Sequence, residues 1–134
     1  MKQLIKFILI LSMFIVNSCK EQDTQTDCGC EGKIQFTIEE SDAQSGFLYI
    51  NDDNSNDNVP DYNYGIWFPK ENCSNCIQRF LICNDQFITD IKENLKYPGI
   101  EVVFSGTVKN LCNEPFRPAG TTYNYLSLSK IEKL

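Results

Sequence analysis

The chain has 134 residues, with twelve Lys and Arg against eighteen Asp and Glu, a formal charge of −6, seven cysteines and no histidine. That length holds one compact domain with short extensions. The acid excess argues against nucleic acid and anionic lipid head groups, which recruit proteins through Lys and Arg. The absence of histidine removes the usual general base, the Ser-His-Asp triad and most zinc catalysis.

The first residues, Met1-Lys2-Gln3-Leu4-Ile5-Lys6, carry two positive charges, and an apolar run over 7–16 leads into Asn17-Ser18-Cys19. A basic start, a short apolar stretch and a small-residue exit make a secretory signal, too short to span a bilayer stably. Val16-Asn17-Ser18-Cys19 resembles a bacterial lipobox, with an aliphatic residue at minus three and a small one at minus one; Asn17 departs from the commoner small residue at minus two. The resemblance implies cleavage before Cys19 and a thioether-linked diacylglycerol on its sulfur, with palmitate-type acyl chains holding the chain to a membrane. The alternative is an ordinary signal peptide with Cys19 as a spare thiol. Parity favours lipidation, because six cysteines remain after Cys19, the even number expected of a disulfide-bonded exported domain.

Lys20-Glu21-Gln22-Asp23 resembles the lysine-plus-acid signal that sends some lipoproteins to the outer face of the outer membrane. A periplasm-facing anchor stands beside it as the other expectation. Residues 20–27 are polar, without an aliphatic or aromatic side chain, and read as a flexible tether. The expected organisation is a signal peptide over 1–18, a lipidated tether over 19–27 and a single disulfide-stapled β domain over 28–134. Without Lys2 and Lys6, ten basic residues face eighteen acids, about −8 for the mature chain.

The domain reads mainly as strands. Over 33–39, Ile34, Phe36 and Ile38 alternate with polar residues and predict one apolar face turned inward. Aromatic and β-branched runs over 46–50 and 64–68 flank an Asn/Asp-rich loop, as in a long hairpin. A further strand over 77–83 follows a cysteine-bearing turn. Over 101–109, Val102, Phe104 and Val108 are in register, with Gly106 where a strand can bend. Over 122–131, Leu126 and Leu128 share one face, and Tyr123, Tyr125, Ser127 and Ser129 the other. One segment has helical period: Phe87, Ile88, Ile91 and Leu95, with Asn84 or Asp85 as cap, Lys92 and Lys96 in the last turn, and Pro98-Gly99 as the stop.

Strands, one helix, then two strands is similar to the order of the OB-fold, a small Greek-key barrel. This implies a mainly β fold, a five- to six-stranded OB-like barrel with one helix; a β-sandwich is the alternative. Secreted netrin-like inhibitors share the order and a Cys-x-Cys near the start of the barrel. In the metalloproteinase inhibitors among them the first cysteine is the free amino terminus. Cys28 lies nine residues inside the lipidated end, so that mechanism does not carry over.

Cys28, Cys30, Cys73, Cys76, Cys83 and Cys112 are expected to form disulfides, because oxidation is available outside the cytoplasm and a small domain gains from crosslinks. Cys28 and Cys30 are badly placed to bond each other and are expected to reach separate distant partners; the connectivity stays open. Two alternatives are a four-thiolate zinc site from Cys-x-Cys and Cys-x-x-Cys, and a redox pair at Cys73 and Cys76, a motif that oxidoreductases place at a helix start.

Residues 51–61 read NDDNSNDNVPD. Asp53, Ser55, Asp57 and Asp61, with the Val59 carbonyl, follow the alternate spacing of a loop that wraps Ca²⁺, and Asn58 tolerates the left-handed backbone such loops need. The stretch resembles the aspartate-rich calcium repeats of thrombospondin type 3, in one partial copy. The simpler reading is a solvated hairpin loop of ordinary turn residues.

No Gly-rich phosphate loop or nucleophile elbow is present, and neighbours such as Glu39 and Glu40 face opposite ways on a strand. An enzyme is therefore not expected. Tyr64, Tyr123 and Tyr125 are the candidate binding residues, with the loop over 110–121 as a rim; Trp67 and Phe68 are expected in the core. The expected function is a membrane-anchored, non-catalytic binding or scaffold domain for a protein, peptide or glycan. A calcium-stabilised adhesion module and a netrin-like inhibitor are its alternatives.

Overall fold

The computed structural model describes residues 27–50, 62–95, 98–113 and 117–134. Cys19, the tether up to Thr26 and the candidate calcium ligands Asp53, Ser55, Asp57, Val59 and Asp61 lie outside them. The described residues form β1 (Ile34–Ile38), β2 (Gln44–Ile50), β3 (Tyr64–Pro69), β4 (Ile77–Ile82), β5 (Ile100–Lys109) and β6 (Thr121–Lys133).

The sheet closes on itself. β5, β2, β3, β4 and β6 follow one another, and β6 returns to β5, giving a five-stranded barrel with β1 added alongside β5. Closure sets the open sandwich aside. The pairings are antiparallel except β4 with β6, which run parallel.

β1 and β2 act as two halves of one line. Ile38 pairs with Gly106 and Gln44 with Phe104, so only Ser105 separates the two partners on β5. The five residues between, 39–43, leave the sheet in a short excursion containing a 3-10 turn at Glu40–Asp42.

The core fills the barrel by alternation. Leu48, Ile66, Phe80, Val102, Phe104, Val108 and Leu126 are all at most 1% exposed. Phe80 meets Phe104 edge-on with centroids 5.9 Å apart, and Phe68 tilts against both. Each such ring or aliphatic side chain removed from water contributes roughly 1.5–3 kcal/mol. Val102, Phe104 and Val108 share the inner face as their spacing requires, as do Leu126 and Leu128.

At Gly106 the ladder is irregular and the backbones come close. The β5–β6 register slips between Ser105 and Gly106, and a Cβ on Gly106 would stand 2.3 Å from the Ser127 carbonyl oxygen. Only a glycine lets the two backbones come this close.

Two expectations need correction. Ile34 and Phe36 do not join Ile38 in the core; they are 56% and 50% exposed. A bulge between Ile34 and Phe36 breaks the alternation, so Ile34 opposes Lys109 while Phe36 opposes Val108. Phe36 keeps the face of Ile38 but stays half exposed, because β1 lies alongside the closed barrel with β5 as its one strand neighbour among the described residues.

The helix over 84–96 is also not found; two 3-10 turns stand there, Asp85–Ile88 and Lys92–Asn94. Its apolar positions still face the barrel, with Ile88 fully buried and Ile91 and Leu95 packed on the core, while Phe87 is exposed. The proposed cap is engaged elsewhere: the Asn84 amide donates to the Leu128 carbonyl at 2.8 Å and accepts from the Leu128 N–H at 2.7 Å. Without a side-chain cap, so short a segment has little helical stability of its own.

Candidate functional site

The barrel carries a second apolar layer on its outside. β4 pairs with β3 and β6, so Arg79 and Leu81 point outward beside Tyr123 and Tyr125. Leu81 is nevertheless fully buried, covered by Tyr62, Leu111, Tyr123 and Tyr125. The Arg79 guanidinium carbon lies 5.7 Å from the Tyr49 ring centre and 5.9 Å from that of Tyr123, so a cation joins the two rings. Tyr62 and Tyr125 meet at 4.8 Å.

Disulfides clamp this layer in place. Cys28 is bonded to Cys112 and Cys30 to Cys83, which ties the segment before β1 to the loop after β5 and to the end of β4. Gly29 N–H donates to the Asn110 carbonyl and the Lys109 ammonium reaches the Cys30 carbonyl, seating the same segment by its backbone. The Cys30 sulfur lies 3.6 Å from the Tyr62 hydroxyl.

The third bond joins Cys73 to Cys76. All six cysteines after Cys19 are therefore crosslinked, and the four-thiolate zinc site is ruled out because its ligands bond one another. Cys28 and Cys30 take separate, distant partners as expected. Cys76 directly precedes strand β4, so the pair lacks the helix start that activates a redox thiol.

The three tyrosines singled out from the sequence do not make one surface. Tyr64 packs on the main core, on the inner side of β3. Tyr123 and Tyr125 do come together on the outer face, but Tyr123 is only 7% exposed and Tyr125 leans on Tyr62. The surface of Tyr123 is thus covered by this chain, and that of Tyr125 partly so. Of the two residues expected in the core, Phe68 lies there, whereas Trp67 lies outside, stacked on Phe47 at 4.7 Å with its indole N–H donating to the Pro98 carbonyl.

An open groove lies where β2 and β3 part. Their ladder runs from Ile50 opposite Tyr64 to Phe47 opposite Trp67 and then stops. Gln44, Ser45 and Gly46 continue along β5, while Phe68 and Pro69 continue along β4. Between them is a cavity of about 760 Å³, whose lining includes Asp42, Phe47, Phe68, Lys70, Glu71 and Glu101. That volume is in the range of small-ligand and peptide pockets.

Three carboxylates and one ammonium edge the groove. Lys70 donates from its ammonium to the Thr122 hydroxyl at 2.7 Å, so its charge is drawn toward β6. Asp42, Glu71 and Glu101 are exposed to solvent. The sequence does not announce this groove, since its residues come from the 39–43 excursion, two strand ends and the start of β5. The one local sign is Pro69-Lys70-Glu71, where proline closes a strand and charges follow.

No protein-family model matches this chain, and no curated protein shows significant similarity to it.

Proposed function

We propose that the chain is a cell-envelope lipoprotein, anchored through acyl chains on Cys19 and carrying a non-catalytic binding or scaffold domain outside the cytoplasm. The observation that carries this reading is the cysteine pairing. Three disulfides account for every cysteine except Cys19. Oxidised pairs belong to exported proteins, and the odd cysteine is the one at the end of the lipobox-like signal. The barrel's build fits a domain that holds its shape and offers loops and strand edges to a partner.

We read the barrel as OB-like. In support, β2, β3 and β4 form a meander, β6 runs parallel to β4, and β5 closes between β6 and β2. The two 3-10 turns occupy the place between third and fourth barrel strands where that fold carries its helix.

The anchor is tested by changing Cys19→Ser and following processing and detergent-phase partition. Wild-type chain in the membrane fraction and unprocessed, lipid-free variant is the expected result. A variant that is still cleaved and still partitions with membrane overturns the reading. Protease shaving of intact cells then tells the outer face from the periplasmic one.

A further inference from the structure

We propose that the groove between β2 and β3 takes an extended, positively charged peptide segment, which adds as a strand to the open edge of Gln44 and Ser45. The inference rests on the reading of the domain as a binding module and adds the class of ligand.

Gln44 and Ser45 are exposed, use one edge for β5 and have no strand on the other among the described residues, while Gly46 is buried against Ile66 and Trp67. A strand with one unpaired edge is a template for a further strand. The opposite wall is not equivalent. It ends in Pro69, which has no N–H to donate. A guest strand therefore pairs with β2 and lies against β3. At about 3.3 Å per residue, the open stretch pairs with roughly two to three guest residues.

The side chains then set the character of the guest. Phe47 lies on the outer face of the sheet and Phe68 on the inner face, so an extended guest finds apolar surface on both sides. Asp42, Glu71 and Glu101 edge the same space against the single charge of Lys70, which is held by Thr122. The surplus of acid selects a segment bearing Lys or Arg. The acid excess of the whole chain adds steering in the same direction.

The test uses the full chain in non-ionic detergent micelles and a fluorescein-labelled hexapeptide of alternating valine and lysine, read by fluorescence anisotropy. A valine-glutamate hexapeptide and a valine-lysine hexapeptide with its central residues replaced by proline serve as comparators. Binding of the valine-lysine peptide, at least tenfold weaker binding of both comparators, and at least tenfold loss in Glu71→Lys with Glu101→Lys are expected. In wild-type protein the amide resonances of Gln44 and Ser45 shift on titration, a readout that needs no variant to fold. Equal binding of the proline peptide refutes strand addition, and equal binding of the glutamate peptide refutes the charge preference. Unmoved Gln44 and Ser45 amides at millimolar peptide refute the site. Any of these leaves the lipoprotein reading standing, because that reading fails only by membrane partition of the Cys19 variant.

Discussion

The side-chain amide of Asn84 pairs with both backbone groups of Leu128, as a neighbouring strand residue would. β4 ends at Ile82, and the Cys83 N–H still donates to Leu126. Asn84 extends that pairing by one more residue after the backbone has turned away. Asn84→Ala leaves the Leu128 N–H and carbonyl without this partner in a partly buried place, and a loss of about 2 kcal/mol is expected. Urea denaturation with an unchanged m-value reads it. Stability equal to wild type would show that the amide carries no energetic weight.

Gly106 and Gly65 give a matched contrast. A Cβ on Gly106 meets the Ser127 backbone, which cannot yield without separating β5 from β6. A Cβ on Gly65 meets the Tyr49 ring at 2.5 Å, and a side chain can swing away. Gly106→Ala is expected to cost about 3 kcal/mol or more, and Gly65→Ala about 1 kcal/mol as Tyr49 leaves Arg79. Thermal unfolding of the two variants checks the order, and similar losses at both sites would contradict the account.

The pattern of the barrel was legible where alternation is unbroken. Val102, Phe104, Val108, Leu126 and Leu128 could be placed because each strand keeps a period of two through them. Ile34 could not, since a bulge is decided by the partner strand and leaves no local mark, and Phe36 could not, since its exposure follows from β1 lying outside the closed ring. The helical period over 87–95 was real as a burial pattern, but Asn84 serves Leu128, a residue 44 positions away. The outer aromatic layer was half visible: Tyr123 and Tyr125 share a face, yet Leu81, Leu111 and Tyr62, which pack with them, come from three other segments. The groove was invisible, because it exists only where two strands separate.

A pH-dependent contact sits at the start of the described domain. The Lys33 ammonium lies 2.6 Å from an Asp27 carboxylate oxygen. Hydrogen bonding and then charge attraction from Lys33 lower the Asp27 pKa below its usual 3.8, and the same causes raise that of Lys33 above 10.5. The pair therefore favours the folded state throughout the neutral range. Its contribution fades as pH falls through the lowered Asp27 value, and again as pH rises through the raised Lys33 value. Both groups are well exposed, so salt screens the effect. Carboxyl-carbon NMR is expected to give an Asp27 midpoint below 3.8 that returns upward in Lys33→Gln. An identical midpoint in the two proteins would exclude the pairing.

The disulfides differ in what they enclose. Cys30–Cys83 and Cys28–Cys112 span 53 and 84 residues, whereas Cys73–Cys76 spans three. In the chain-entropy account the first closes a loop worth about 4 kcal/mol and the last about 2 kcal/mol. Cys30–Cys83 also sits beside Tyr62 in the outer layer, while Cys73–Cys76 closes an exposed turn before β4. The double change Cys30→Ser with Cys83→Ser is therefore expected to lower stability about twice as far as Cys73→Ser with Cys76→Ser. It should also loosen the Tyr62–Tyr125 contact, visible as a change in near-ultraviolet circular dichroism that the second pair leaves alone. Equal losses would mean that the turn disulfide, despite its short span, supports the start of β4 and its pairing with β6, where the Ile77 N–H donates to Gly120.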